Sequence, residues 1–165
     1  SSAAQGMAAV QQNDLPRALA TVQAKLARHP NDPLLLYLQA DFLLQNGALP
    51  GTRKFLLAQR SAEKAVQLQP SLADARGVLA KIYLQSGQYR QAIEQCRKTL
   101  QLNPQDQTAV YHLIVALRKT GQTAQIPPLL KRLALLREQA AKEQNQRYRY
   151  KLVEDQSGAP PGAVP

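Results

Sequence analysis

The chain has 165 residues, enough for one domain, with 44% hydrophobic but only 5% aromatic residues and no Trp, so its core must come from Leu, Ala, Ile and Val. No stretch reaches about 18 apolar residues, which excludes a membrane-spanning helix. A single cysteine, Cys96, excludes an intrachain disulfide, and with His29 and His112 in separate parts of the chain it supplies no zinc spacing.

Ala, Leu, Arg, Lys and 22 Gln residues make the composition helical in character. The net charge of +10 is uneven: residues 118–151 hold 9 basic and 2 acidic residues, whereas residues 1–117 hold 12 and 7. Positive potential therefore concentrates toward the C-terminal part, where an acidic partner would be drawn first.

In chain order, Ser1 to Gly6 lack a charged start followed by an apolar run and do not read as a signal peptide. From Gly6 to Pro30 the residues Ala9, Leu15, Ala18, Val22 and Leu26 fit the end of one helix and a full second one. The first of these helices is incomplete, which predicts further structure upstream. Next, Pro33 to Pro70 carries Leu36, Ala40, Leu43, Gly47, Ala58, Ala62 and Ala65 at helical spacing. Between Gly47 and Ala58 lies an insertion in which Pro50 and Gly51 read as a turn and Thr52 as an N-cap. The helix after it is expected to start early, run long, and project Arg53, Lys54 and Phe55 beyond the regular stack.

The clearest unit runs from Ala73 to Pro104. Leu79, Ala80 and Tyr83 form one stripe, Gly87 breaks the helix, and Tyr89, Ala92, Ile93, Cys96, Thr99 and Leu100 form a second. A further unit from Gln107 places Leu113, Leu117, Gly121, Ile126, Leu130 and Leu133 in the corresponding slots. Pro127 and Pro128 then suit a helix start. No breaker follows before Gly158, and apolar residues thin out after Leu136. This predicts an extended capping helix to about residue 151, followed by a disordered Gly/Pro-rich tail over 152–165.

These units repeat. Pro70 and Pro104 are 34 residues apart, and Pro30 and Pro70 are 40 apart, the same period plus the insertion. The pattern of Leu, Gly, Tyr, Ala and Pro at set offsets resembles the tetratricopeptide repeat. The resemblance covers residues 3 to 136, in units of about 1–32, 33–72, 73–106 and 107–140. It departs from the family where Arg76 takes the Trp slot, Gln39 a Leu slot, Cys96 an aromatic slot and Thr99 an Ala slot. An ordinary bundle with accidental periodicity is the competing reading, and four units in register argue against it.

The resemblance implies an all-α fold, an α-solenoid of antiparallel helix pairs in a right-handed superhelix. Its concave face would be lined by the first helix of each unit and would hold a peptide or partner helix. The slots that implies are Leu34, Tyr37, Asp41, Leu44 and Gln45, then Asp74, Gly77, Lys81, Leu84 and Gln85, then Thr108, Tyr111, Val115, Arg118 and Lys119. One branch of the family clamps acidic chaperone tails with Lys, Asn and Arg. The matching positions here are Tyr37, Asp41, Val78, Thr108 and His112, and none fits. Chaperone-tail binding is therefore not expected.

Catalysis is not expected either. Cys96 lies on a core-facing stripe and His112 on a different helix, and acidic residues are scattered singly. PGTRK at Pro50–Lys54 lacks the full phosphate-loop pattern, so no cofactor or metal is implied. The function expected is a non-catalytic protein-binding scaffold. Two alternatives remain: the basic C-terminal helix, with RYRYK interleaving Arg and Tyr, could meet nucleic acid or an anionic surface, or the chain could self-associate as a homodimer. Nucleic acid is the less expected partner. Cytoplasm and bacterial periplasm are both compatible with the sequence.

Overall fold

The computed structural model describes residues 14–157, and every regular element in them is helical. In chain order these are α1 (Leu15–Arg28), α2 (Pro33–Gln45), α3 (Arg53–Leu68), α4 (Ala73–Gln85), α5 (Tyr89–Leu102), α6 (Gln107–Lys119), a short 3-10 turn (Thr123–Gln125) and α7 (Ile126–Gln156). Residues 1–13 and 158–165, which hold part of the expected first unit and part of the expected tail, lie outside the described residues.

Local chemistry sets the helix ends. Asp32 accepts from the Leu34 and Leu35 N–H groups at 3.0 and 3.2 Å, with Pro33 just inside the helix. Asp106 accepts from the Ala109 N–H at 3.0 Å and Thr52 from the Phe55 N–H at 3.2 Å. Each such cap satisfies an otherwise orphaned donor and contributes about 1 kcal/mol. At the end of α4, Gly87 takes φ 77°, and the Gln88 N–H returns to the Tyr83 carbonyl at 2.8 Å. The same return bond follows α2 and α6, from Ala48 to Leu43 and from Gln122 to Leu117. Three first helices therefore end by one mechanism, and each reverses the chain into an antiparallel partner.

Packing explains why the two helices of a unit read differently. In α2, Leu35, Leu36, Leu38, Gln39, Ala40, Phe42 and Leu43 are buried, nearly all round the helix. In α5 only Ala92, Ile93, Cys96 and Thr99 are buried, along one stripe. The first helices lie between their own partners and neighbours, so they need apolar residues on several sides. The second helices need one. Burial classes along α2 and α4 match position for position across all thirteen residues, although the two sequences share few identities. Small side chains at Ala18, Ala58, Ala62, Ala65 and Ala92 are fully buried, which lets paired helices approach closely. Large buried side chains such as Leu35, Leu38, Ile82, Ile114 and Leu117 each stabilise the stack by about 1.5–3 kcal/mol.

Two expectations need correction. The helix after the insertion does start at Arg53 and, at 16 residues, is the longest of α1 to α6. Phe55, however, does not project beyond the stack: it is 3% exposed and joins the core beside Ala58, Leu79 and Tyr83. Only Arg53 and Lys54 stay in solvent. A large aromatic in the first turn gains more from burial than from display, and the turn after Pro50 swings it inward. The capping helix also outlasts its expected end at residue 151, reaching Gln156, because nothing between Lys151 and Gly158 interrupts helical backbone. Ile126 and Leu133 bury against α6. From Arg137 onward every described side chain is exposed, so some 20 residues of helix, about 30 Å, stand clear of the body.

Candidate functional site: the face of the first helices

The curvature of the stack follows from which helices meet. The backbones of α2 and α4 come together, as do those of α4 and α6. Among the described residues the second helices α1, α3 and α5 do not approach one another. The first helices are thus side by side on the inner, concave side, and the second helices are splayed outside. A continuous surface of α2, α4 and α6 results.

That surface holds a connected set of polar groups. Gln45 donates from Nε2 to Asp41 Oδ2 at 2.7 Å, one turn away on α2. Burial raises the Asp41 carboxyl above its ordinary value, and Asp74 on α4 adds to the rise. The Gln45 amide and the Lys81 ammonium work against it. Tyr37 is pushed up to about 12, by burial first and then by Asp41 and Asp74. His112 is lowered, by burial first and then by Lys81, with Asp106 opposing. Tyr37, Asp41, Asp74, Lys81 and His112 therefore feel one another across three helices. Lys81 nonetheless forms no ion pair: the only ones among the described residues are Lys98–Glu94 and Lys142–Glu138.

The ten residues singled out from the sequence are distributed as follows. Tyr37, Asp41, Lys81 and Val115 are half-buried in the middle of the face, and Asp74, Gln85 and Gln45 are exposed at its ends. Tyr111 is 49% exposed and lies against His112, ring centroids 5.7 Å apart. Arg118 and Lys119 are exposed in the last turn of α6, and among the described residues neither forms an ion pair. His112 entered the sequence reading only as a clamp position whose residue does not fit, and as an improbable partner for Cys96. Cys96 is fully buried, and its thiol is pushed up to about 12, by burial first and then by Asp106. A thiol so held stays protonated and is no nucleophile.

Comparison with solved structures gives the fold. The chain matches the crystal structure of MamA with a TM-score of 0.70 at 18% identity, covering 83% of this chain and 77% of that one. It matches MamA residues 41-end from Desulfovibrio magneticus RS-1 with a TM-score of 0.69 at 21% identity, covering 84% and 75%. The architecture is thus a tetratricopeptide-like helical repeat, an α-solenoid. No curated protein matches the sequence. A family model does match, over residues 8–157, and by that match the chain belongs to the ChAPs, the Chs5p-Arf1p-binding proteins.

Proposed function

We propose that the chain is a non-catalytic scaffold that seats a peptide or partner helix of another protein on the face formed by α2, α4 and α6. The observation that carries this reading is the central set of Tyr37, Asp41, Lys81 and Tyr111. Tyr37, Asp41 and Lys81 are half-buried, Tyr111 offers an exposed ring beside them, and Lys81 has no ion-pair partner among the described residues. Groups already stripped of part of their water lose less on binding, and tyrosine is a frequent anchor at protein interfaces. The family description supports a protein as the partner, since its members are described as binding Chs5p and Arf1p.

A second reading puts the contact on α7, which stands clear of the body with Tyr148 and Tyr150 at 64% and 70% exposure. Its charge weakens that reading. Residues 137–156 hold five basic and four acidic residues, so the free part of the helix is nearly neutral and makes a poor track for phosphates.

An affinity pull-down from the source cell's extract at moderate salt tests the two. It compares the wild-type chain with a variant carrying Tyr111→Ala and Lys81→Glu. A protein held by the first and lost by the second is the expected result. Equal retention by both overturns the face reading and moves attention to α7.

A further inference from the structure

We propose that the gap at Gly77, between Tyr37 and Tyr111, receives a basic side chain of the bound segment, arginine above all, with Asp74 and Asp41 as its counter-charges. This deepens the reading above and rests on the α2–α4–α6 face being the binding face. Tyr37, Gly77 and Tyr111 occupy the same position of three adjacent helices: the fifth residue of α2, of α4 and of α6. The central member of the row has no side chain, and a Cβ built there would meet nothing within 4 Å. The row therefore runs from a tyrosine through an open position to a second tyrosine.

The charge around the notch is unbalanced. Asp41 lies one turn along α2 from Tyr37, Asp74 lies one turn before Gly77 on α4, and both carboxylates act on the Tyr37 hydroxyl. Lys81, one turn along α4 from Gly77, acts on Asp41 and on His112. One ammonium faces two carboxylates, and it is bonded to neither. On a chain of net charge +10 this is a local negative site in a positive field, which discriminates sharply among guests. A guanidinium fits best, because it is planar, stacks on phenol faces and can fork to a carboxylate. A Lys ammonium meets the charge but not the stacking, and an apolar side chain meets neither.

The test uses the whole chain and N-acetyl-arginine-N-methylamide as the probe, with the lysine and norleucine analogues beside it. Tyrosine-ring and backbone NMR spectra report where each binds. The expected result is a saturable shift of the Tyr37 and Tyr111 rings and the Gly77 amide with arginine, a weaker one with lysine, and none with norleucine. Asp74→Asn should weaken arginine by about ten-fold, and Gly77→Val should abolish it while circular dichroism stays unchanged. The proposal is overturned if arginine moves Tyr148 and Tyr150 as much as Tyr37 and Tyr111, or if Asp74→Asn binds as well as wild type. Asp74 is exposed, so that variant tests the notch even if Gly77→Val folds poorly. A partner protein captured equally by wild type and Asp74→Asn, but lost with Tyr111→Ala and Lys81→Glu, would keep the binding face and sink the notch.

Discussion

Arg76 donates from Nε to the carbonyl oxygen of Pro70 at 2.7 Å, tying the first turn of α4 to the residue that ends the preceding unit. Its Nη1 reaches Gln95 Oε1 at 2.9 Å on α5, and the side chain is only 8% exposed. A guanidinium thus fills the slot where the repeat pattern has Trp. The two other unit-ending prolines are met by cations too, Pro30 by Lys64 and Pro104 by Arg132. Arg76→Ala removes packing and leaves a carbonyl and an amide oxygen without their donor. It should cost about 2–3 kcal/mol in urea denaturation. Arg76→Lys keeps one charge but not the fork, and should fall between.

Gln39 and Ser61 make a fully buried polar contact inside the stack, 2.7 Å apart on α2 and α3 and 8% and 3% exposed. Ser61→Ala strands the Gln39 amide and should lower stability by about 1–3 kcal/mol. Gln39→Leu restores the residue the pattern favours at that slot. Added to Ser61→Ala, it should recover most of the loss, giving a coupling well away from zero in a double-mutant cycle. Simple additivity of the two effects would mean that the hydrogen bond contributes little.

The repeat could be read from the sequence because it is written in backbone requirements and small side chains. Gly47, Gly87 and Gly121 mark the helix ends, Ala58, Ala62 and Ala92 the close approaches, and Pro33 a helix start. Phe55 could not be placed that way. Whether a first-turn aromatic faces solvent or core depends on the turn at Pro50 and Gly51, and the periodic pattern has no slot for an insertion. The polar set on the first helices was only half legible. Slot positions found Tyr37, Asp41, Asp74 and Lys81, but their mutual influence arises between helices about one repeat apart in sequence. His112 enters that set only through packing.

Glycine-to-alanine exchange should have opposite signs within α4 and just past its end. Gly77 is helical and surrounded by open space, so Gly77→Ala removes backbone freedom from the unfolded chain and meets no clash. It should stabilise by about 0.5–1 kcal/mol. Gly87 sits at φ 77°, where a Cβ is strained, and Gly87→Ala should destabilise by about 1 kcal/mol. Thermal melts of the pair would settle both signs. A loss at Gly77 would mean that the helix is not continuous there.

Asp41 makes stability depend on pH in a direction opposite to most carboxylates. Its folded-state pKa lies above the ordinary value, with burial the first cause. The folded chain therefore holds that proton more tightly than the unfolded chain. The stability this contributes is fully present below the ordinary carboxyl pKa and is lost as pH rises through the raised one. At neutral pH the ionised group is a net cost, partly offset by the Gln45 amide and the Lys81 charge. Asp41→Asn keeps an acceptor for Gln45 and removes the charge, so it should be as stable as wild type or more so at pH 7. That advantage should shrink steadily as the pH falls to acid values. Urea denaturation of both proteins across that range measures it, and a variant that loses stability at pH 7 would show that Lys81 compensates Asp41 more fully than the absence of an ion pair implies.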